Sequence, residues 1–298
     1  MKLSKEQREK ADFEEIKSYC AQGAALDKLL VRVSDKVSLC VYEIKSAKTT
    51  DNPVVFFVPG WITRPFSWKD VLKEITKDFN VIYIETREKR GGITKGEKDY
   101  SISAMSQDII NLINKFKPEE KEYLLLGSSL GATVILHSAN SLPVKPVALV
   151  LVAPNSEFIV PWFWKVIISL FYPPFYFLIK PAVKWYLKNF RMSVDKDLGQ
   201  YKKYSAALDA ADPWKLKRAV VSLWKYKVWD KISDIDIPCL FIGGSHDKLH
   251  TPENLIKMQN IIPESVYIDM KTNSETHSSE MVNHVRKFLK DIIEKEVK

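Results

Sequence analysis

The chain has 298 residues, 46% apolar and 28% charged, which are the proportions of an ordinary folded chain and set aside disordered, fibrous and polytopic membrane classes. Its formal charge of +8 suits a polyanionic partner, but the lysines are spread over nearly every segment, as on a solvated surface rather than a nucleic-acid interface. Cys20, Cys40 and Cys239 lack CxxC or metal-ligand spacing and read as reduced thiols in a cytoplasmic protein, with no metal site expected. Residues 1–10 alternate charged and polar types without the apolar run of a secretory signal. Residues 4–22 place Ala11, Phe13, Ile16, Tyr19 and Cys20 at helical spacing, so residues 1–28 are read as a helical extension ahead of the main fold.

Runs at 29–33 and 37–44, flanking Ser34-Asp35-Lys36, predict a hairpin. Short apolar runs then alternate with helical patterns: strands at 54–58, 81–84, 123–126 and 147–152, helices at 71–75, 102–116 and 131–140. The rhythm returns with a strand at 239–242, a helix at 252–261, a strand at 266–270 and a helix at 278–294. Such alternation marks a mostly parallel sheet covered by helices on both faces. Between the two blocks, residues 155–233 carry six of the eight tryptophans and read as several helices inserted between strands of one sheet. The core is therefore assigned to 29–154 and 234–298, and a helical cap to 155–233. Within the cap, 166–179 is free of charge, but these 14 residues, broken by Pro173-Pro174, are too few for a spanning helix, which needs about 20.

The strongest chemical signal is Gly127-Ser128-Ser129-Leu130-Gly131, directly after a predicted strand and before a helix. A sharp strand-to-helix turn strains the serine backbone, lifts its hydroxyl off the sheet and demands small neighbours. The phosphate-binding patterns GxGxxG and GxxxxGK[ST] are absent, and no cofactor is called for. Ser129 is thus the candidate nucleophile and needs a base. Of five histidines, His137 and His284 lie inside predicted helices, and His246 and His250 lie in the loop after the strand at 239–242. His277 follows the last predicted strand, at the carboxyl edge of the sheet where functional crevices lie, and is the candidate base, with His250 its competitor. Asp247, in the exit loop of the strand at 239–242, is the candidate acid, a capping role before Thr251-Pro252-Glu253 being its alternative. The oxyanion hole is assigned to the backbone N–H groups of Leu130 and of Trp61, the latter after Pro59-Gly60.

Strand-Gly127-Ser128-Ser129-Leu130-Gly131-helix, residues 237–247 and His277 before the last helix together resemble the α/β-hydrolase superfamily. The resemblance implies an eight-stranded, mostly parallel sheet, a catalytic triad, acyl-enzyme chemistry and a cap at the inserted segment. Pro59-Gly60 stands where the family often has His-Gly, and residues 85–92 depart from its Asp-x-Arg-Gly-x-Gly run, which leaves the subfamily open. Serine rather than aspartate at the elbow argues against dehalogenase and epoxide hydrolase branches. The expected activity is a serine esterase acting on a moderately hydrophobic acyl or aromatic ester. A thioesterase, a C–C bond hydrolase, an acyltransferase and a ligand-binding receptor on the same fold stand as alternatives. Trp162, Trp164, Phe171 and Phe175 are the expected substrate pocket. The cap's aromatics beside Lys165, Lys180, Lys184 and Lys188 also admit contact with an anionic bilayer, against which stands the simpler reading that the aromatics face inward.

Overall fold

The segment Val54–Val58 forms a strand because both its faces are covered: Phe56 and Val58 enter one apolar layer, Val55 and Phe57 the other. The same two-sided alternation recurs at Leu149/Val150/Leu151/Val152 and at Cys239/Leu240/Phe241/Ile242, which is why these stretches read as unbroken apolar runs. The computed structural model describes residues 5–158, 160–186, 188–189, 198–247 and 252–296.

The strands are β1 (Ala25–Arg32), β2 (Val37–Lys45), β3 (Val54–Val58), β4 (Val81–Glu85), β5 (Ile93–Thr94), β6 (Tyr123–Ser128), β7 (Ala148–Val152), β8 (Cys239–Gly243) and β9 (Ser265–Asp269). Their order is β1-β2-β4-β3-β6-β7-β8-β9, with β5 paired to β2. β1, β2 and β5 pair antiparallel, and β4, β3, β6, β7, β8 and β9 run parallel. The expected eight-stranded, mostly parallel sheet is found, with the two-residue β5 as an addition too short for periodicity to reveal.

The helices are α1 (Lys5–Lys17), α2 (Lys69–Ile75), α3 (Ile102–Phe116), α4 (Leu130–Ser138), α5 (Trp162–Leu170), α6 (Tyr176–Tyr186), α7 (Leu198–Ala210), α8 (Pro213–Leu223), α9 (Pro252–Ile261) and α10 (Ser279–Glu296). Helices α3, α4 and α9 cover one face of the sheet, and α2, α10 and the end of α1 the other. Helix α3 shows how local and global signals agree. Ser101 caps its N-terminus, its Oγ accepting from Ala104 N–H at 3.2 Å; Lys117 at φ 48° ends it; Ile102, Met105, Ile109, Leu112 and Ile113 form its buried stripe. α10 is fixed against the end of α2 by Arg286, whose guanidinium donates to both Asp78 oxygens at 2.7 and 2.9 Å and to Glu74 Oε1 at 2.9 Å.

A buried ion pair holds the loop after β4. Arg87 donates to the two Asp108 oxygens at 2.6 and 2.7 Å and to the carbonyls of Asp99 and Ala104. Burial pushes the Asp108 carboxyl up while the Arg87 guanidinium draws it down.

Helices α5 to α8 form the inserted region. Its ends meet at a neck where Glu157 and Lys227 form an antiparallel bridge and Val228 N–H donates to Ser156 O at 2.9 Å. The expected inward-facing aromatics are not found on α5, which has no buried residue; Trp162 is 77% and Leu170 81% exposed. No described single helix is long and apolar enough to cross a membrane.

Candidate active site

Ser129 sits between β6 and α4 with φ 48° and ψ −117°, the strained elbow that the sequence predicts. The flanking glycines are there for space. A Cβ at Gly131 would lie 1.9 Å from the Val58 carbonyl oxygen, and one at Gly127 2.7 Å from Ala132 N. The turn is tied to the next strand by Ser129 N–H donating to Val152 O at 2.8 Å.

Two exit loops, after β8 and β9, are laced together. His246 N–H donates to Lys271 O at 2.8 Å, and a Cβ on Gly244 would stand 2.9 Å from the Thr272 carbonyl carbon. Asp269 clamps the pair, its Oδ1 accepting from Ser245 N–H at 2.8 Å and from Lys271 N–H at 2.9 Å; the Lys271 ammonium on its Oδ2, and then these backbone bonds, hold its carboxyl well below the usual range. The lacing brings Asp247 beside the His277 loop, where its Oδ2 accepts from Asn273 Nδ2 at 3.2 Å. His277 Nδ1 lies 2.8 Å from the Asn273 backbone carbonyl and 3.1 Å from Thr276 Oγ1. A carbonyl only accepts, so Nδ1 carries a proton, which in the neutral imidazole leaves the lone pair on Nε2. The imidazole stacks on the fully buried Trp68, ring centroids 4.1 Å apart.

Ser129 and His277 line one cavity of about 490 Å3, together with Trp61 and Leu130, the two expected oxyanion donors. Its apolar wall is Phe158, Val160, Ala207, Val220, Leu223 and Trp224. Among the described residues, three of the six non-glycine residues with positive φ, Ile62, Ser129 and Ala153, line it, and a fourth, Lys271, is in the His277 loop; strain is concentrated here. The expected pocket residues Trp162, Trp164, Phe171 and Phe175 are not among the described residues that line this cavity. α8 and the segment entering α5 close the cavity, while α5 packs on α8 from outside.

The other histidines fall where helix and loop positions suggest. His137 Nδ1 is 3.0 Å from Tyr226 Oη, with burial and Lys231 lowering its pKa. His284 is half-buried on α10, and His246 is exposed. His250 lies outside the described residues. Sequence reasoning missed Asn155, whose Nδ2 donates to Ser129 Oγ at 3.0 Å and whose backbone is locked by reciprocal bonds with Thr133 Oγ1 at 2.9 and 3.0 Å. It also missed Trp68 and Asn273. Asn155 alone carried a signal, as a polar residue two positions beyond Ala153 at the carboxyl end of β7.

The family model Hydrolase_4, described as serine aminopeptidase, S33, matches residues 92–269, more than half of the chain. The chain belongs to this α/β-hydrolase family. The match spans Ser129 and Asp247 of the hydrolase and stops just short of His277. Among solved structures, the hydrolase is similar to a hydrolase from Pseudomonas aeruginosa PA01 (16% identity, 90% of this chain and 98% of that one, TM-score 0.71). It is also similar to a thermophilic esterase from Thermogutta terrifontis (16% identity, 90% and 99%, TM-score 0.69). A third is an esterase from Exiguobacterium antarcticum (15% identity, 89% and 99%, TM-score 0.67). At these identities the likeness shows the shared fold. No curated protein matches the chain in sequence.

Proposed function

We propose that this hydrolase cleaves a carboxylic ester with a moderately hydrophobic acyl group through an acyl-enzyme, with Ser129 as nucleophile, His277 as base and Asp247 as the acid that orients the histidine. The observation that carries the reading is the strained Ser129 facing the same cavity as a histidine whose Nδ1 is committed to a carbonyl. His277 Nε2 takes the hydroxyl proton as Ser129 Oγ bonds to the ester carbonyl carbon. The oxyanion so formed is met by the N–H groups of Leu130 and Trp61. Collapse breaks the ester C–O bond, and the imidazolium returns its proton to the departing alkoxide. Water, deprotonated by the same nitrogen, then releases the acid and regenerates Ser129. The Trp68 face beneath the ring favours the imidazolium that forms twice in each cycle. Asp247 acts on the loop through Asn273, whose side chain it binds and whose carbonyl holds Nδ1. Among the described lining residues none is acidic, which favours an uncharged acyl group over a peptide's ammonium terminus.

A fluorophosphonate probe tests the reading. The expected result is a single adduct on Ser129, with kcat/KM for p-nitrophenyl esters rising about fourfold per added acyl methylene (about 0.8 kcal/mol each) until the cavity fills. Folded protein without adduct overturns the nucleophile; a flat chain-length series overturns the hydrophobic acyl site.

Asn155 is assigned as a donor to the nucleophile oxygen. Asn155→Ala removes one neutral hydrogen bond worth about 0.5–1.5 kcal/mol, so the fluorophosphonate inactivation rate should fall about two- to twelvefold. Asn155→Asp places a carboxylate beside the developing negative charge and should fall further. An aspartate variant faster than the alanine one would remove Asn155 from this role.

A further inference from the structure

Thirteen of the twenty-one exposed large apolar side chains among the described residues lie between residues 162 and 186, in α5, α6 and their connection. Folded monomers do not normally leave so concentrated an apolar face to water. We propose that this face docks the hydrolase on an anionic phospholipid bilayer, and that its substrate is an ester dissolved in that bilayer. The second half of the proposal rests on the hydrolase reading; the first does not.

The geometry is that of a wedge rather than a span. α5 and the segment Pro173–Tyr186 are bent by 102° to one another, so the pair presents a corner whose most exposed apolar residues are Trp162, Leu170 and Leu178. A corner that enters hydrocarbon must leave no backbone group without a partner. Lys217 Nζ donates to Ser169 O at 2.7 Å and Phe171 O at 2.8 Å, which satisfies carbonyls at the end of α5. Phe171 and Phe175 N–H are bonded to Ile167 and Tyr172 carbonyls, and Pro173 and Pro174 carry no N–H at all. These groups of the turn are therefore held by protein partners rather than by water.

Charge selects the surface. From residue 158 to 194 the sequence has four lysines and one arginine and no acidic residue. Lys180 and Lys184 share Asp209, at 3.0 and 2.5 Å, on the side of α6 facing α7, and Lys165 lies against Trp224, 5.9 Å from its ring centroid, so the cations border the apolar corner rather than interrupt it. Each basic group held near an anionic leaflet strengthens binding about fivefold at moderate ionic strength. The corner is also continuous with the cavity. Phe158 and Val160 lead directly into α5 and line the cavity, and α5 packs on α8, which supplies Val220 and Leu223 to the same wall. An acyl chain leaving the bilayer meets apolar side chains along this route towards Ser129.

The test uses Ser129→Ala protein, which cannot turn over lipid, sedimented with vesicles of phosphatidylcholine containing about one-third phosphatidylserine. The expected result is cosedimentation that weakens with salt and with omission of phosphatidylserine, and at least tenfold weaker binding in Leu170→Asp/Leu178→Asp, two exposed positions whose change leaves the core untouched. In the otherwise native enzyme the same pair of substitutions should leave hydrolysis of a water-soluble short-chain ester unchanged and depress hydrolysis of a long-chain ester presented in vesicles. Protein that stays in the supernatant at low salt overturns the proposal, as does undiminished binding of the aspartate variant. So does a concentration-dependent dimer that the aspartate variant abolishes without any vesicle binding, because a second copy then covers the face. Vesicle binding in a protein that takes no fluorophosphonate label upholds the docking and removes the hydrolase reading alone.

Discussion

Ser129→Ala and His277→Ala are each expected to lower kcat on a soluble ester by about four to six orders of magnitude, and the double variant to be scarcely worse than either single one. The non-additivity follows from the chemistry. Without the imidazole the hydroxyl keeps its proton, and without the hydroxyl the imidazole has no bound nucleophile to activate, so each removal already disables the unit. Folding should survive both changes. Ser129 is held by backbone bonds to Val152 O and from Thr133 N–H that alanine retains, and His277 is replaced in a loop still laced to its neighbour through residues 244–246. Turnover with parallel circular dichroism checks both statements. A His277→Ala enzyme of near-normal turnover would displace the base assignment, with His250 as its successor. Asp247→Asn should be severe but milder, since the Asn273 carbonyl continues to hold Nδ1.

Asp108→Ala is expected to destabilise the fold by about 3–5 kcal/mol, because it leaves the Arg87 guanidinium buried without its carboxylate. At roughly 2–4 °C per kcal/mol for a large domain, Tm should drop by about 6–20 °C. Arg87→Met with Asp108→Leu removes both charges and should regain most of that loss. The pair stabilises through mutual dependence, not through a large net gain. A Tm for Asp108→Ala within 2 °C of the parent, on the same scale, would mean that the carbonyls to which the guanidinium already donates, Asp99 O and Ala104 O, suffice to hold it.

The elements most legible in the sequence are those whose side chains answer to one periodicity. Helix α3, with cap, stripe and left-handed end in register, is found over the residues expected. Strands β3 and β8 are covered on both sides and announce themselves as unbroken apolar runs. β1 begins at Ala25, earlier than its apolar run, because Asp27 and Lys28 belong to it through pairing with β2, an outer-strand property that hydrophobicity does not record. The elbow was legible because its strain demands glycines of a particular spacing. The pocket was not. Aromatic residues in a cap are equally consistent with lining a cavity and with facing out, and which occurs depends on how α5 packs against α8, a long-range contact. Trp68 and Asn273 were invisible for the same reason: each matters through a partner 209 and 26 positions away, respectively.

The neck at Glu157–Lys227 has a consequence for how such an enzyme diversifies. The two ends of the helical insert are stitched to each other, by the bridge and by Val228 N–H on Ser156 O, before either reaches the sheet. The register of β7 and β8 is thereby insulated from whatever lies beyond the stitch. Since the entropic cost of closing a flexible loop grows by only about 0.6 kcal/mol for each doubling of its length, insertions and deletions around α5, which buries no residue, should cost the scaffold little, whereas α8 carries the core residues Ala219 and Leu223 and is held in place. On the proposed reading, substrate preference and surface attachment can then vary with the outer part of the insert, while Ser129 and His277 stand on loops of the sheet that such changes do not touch.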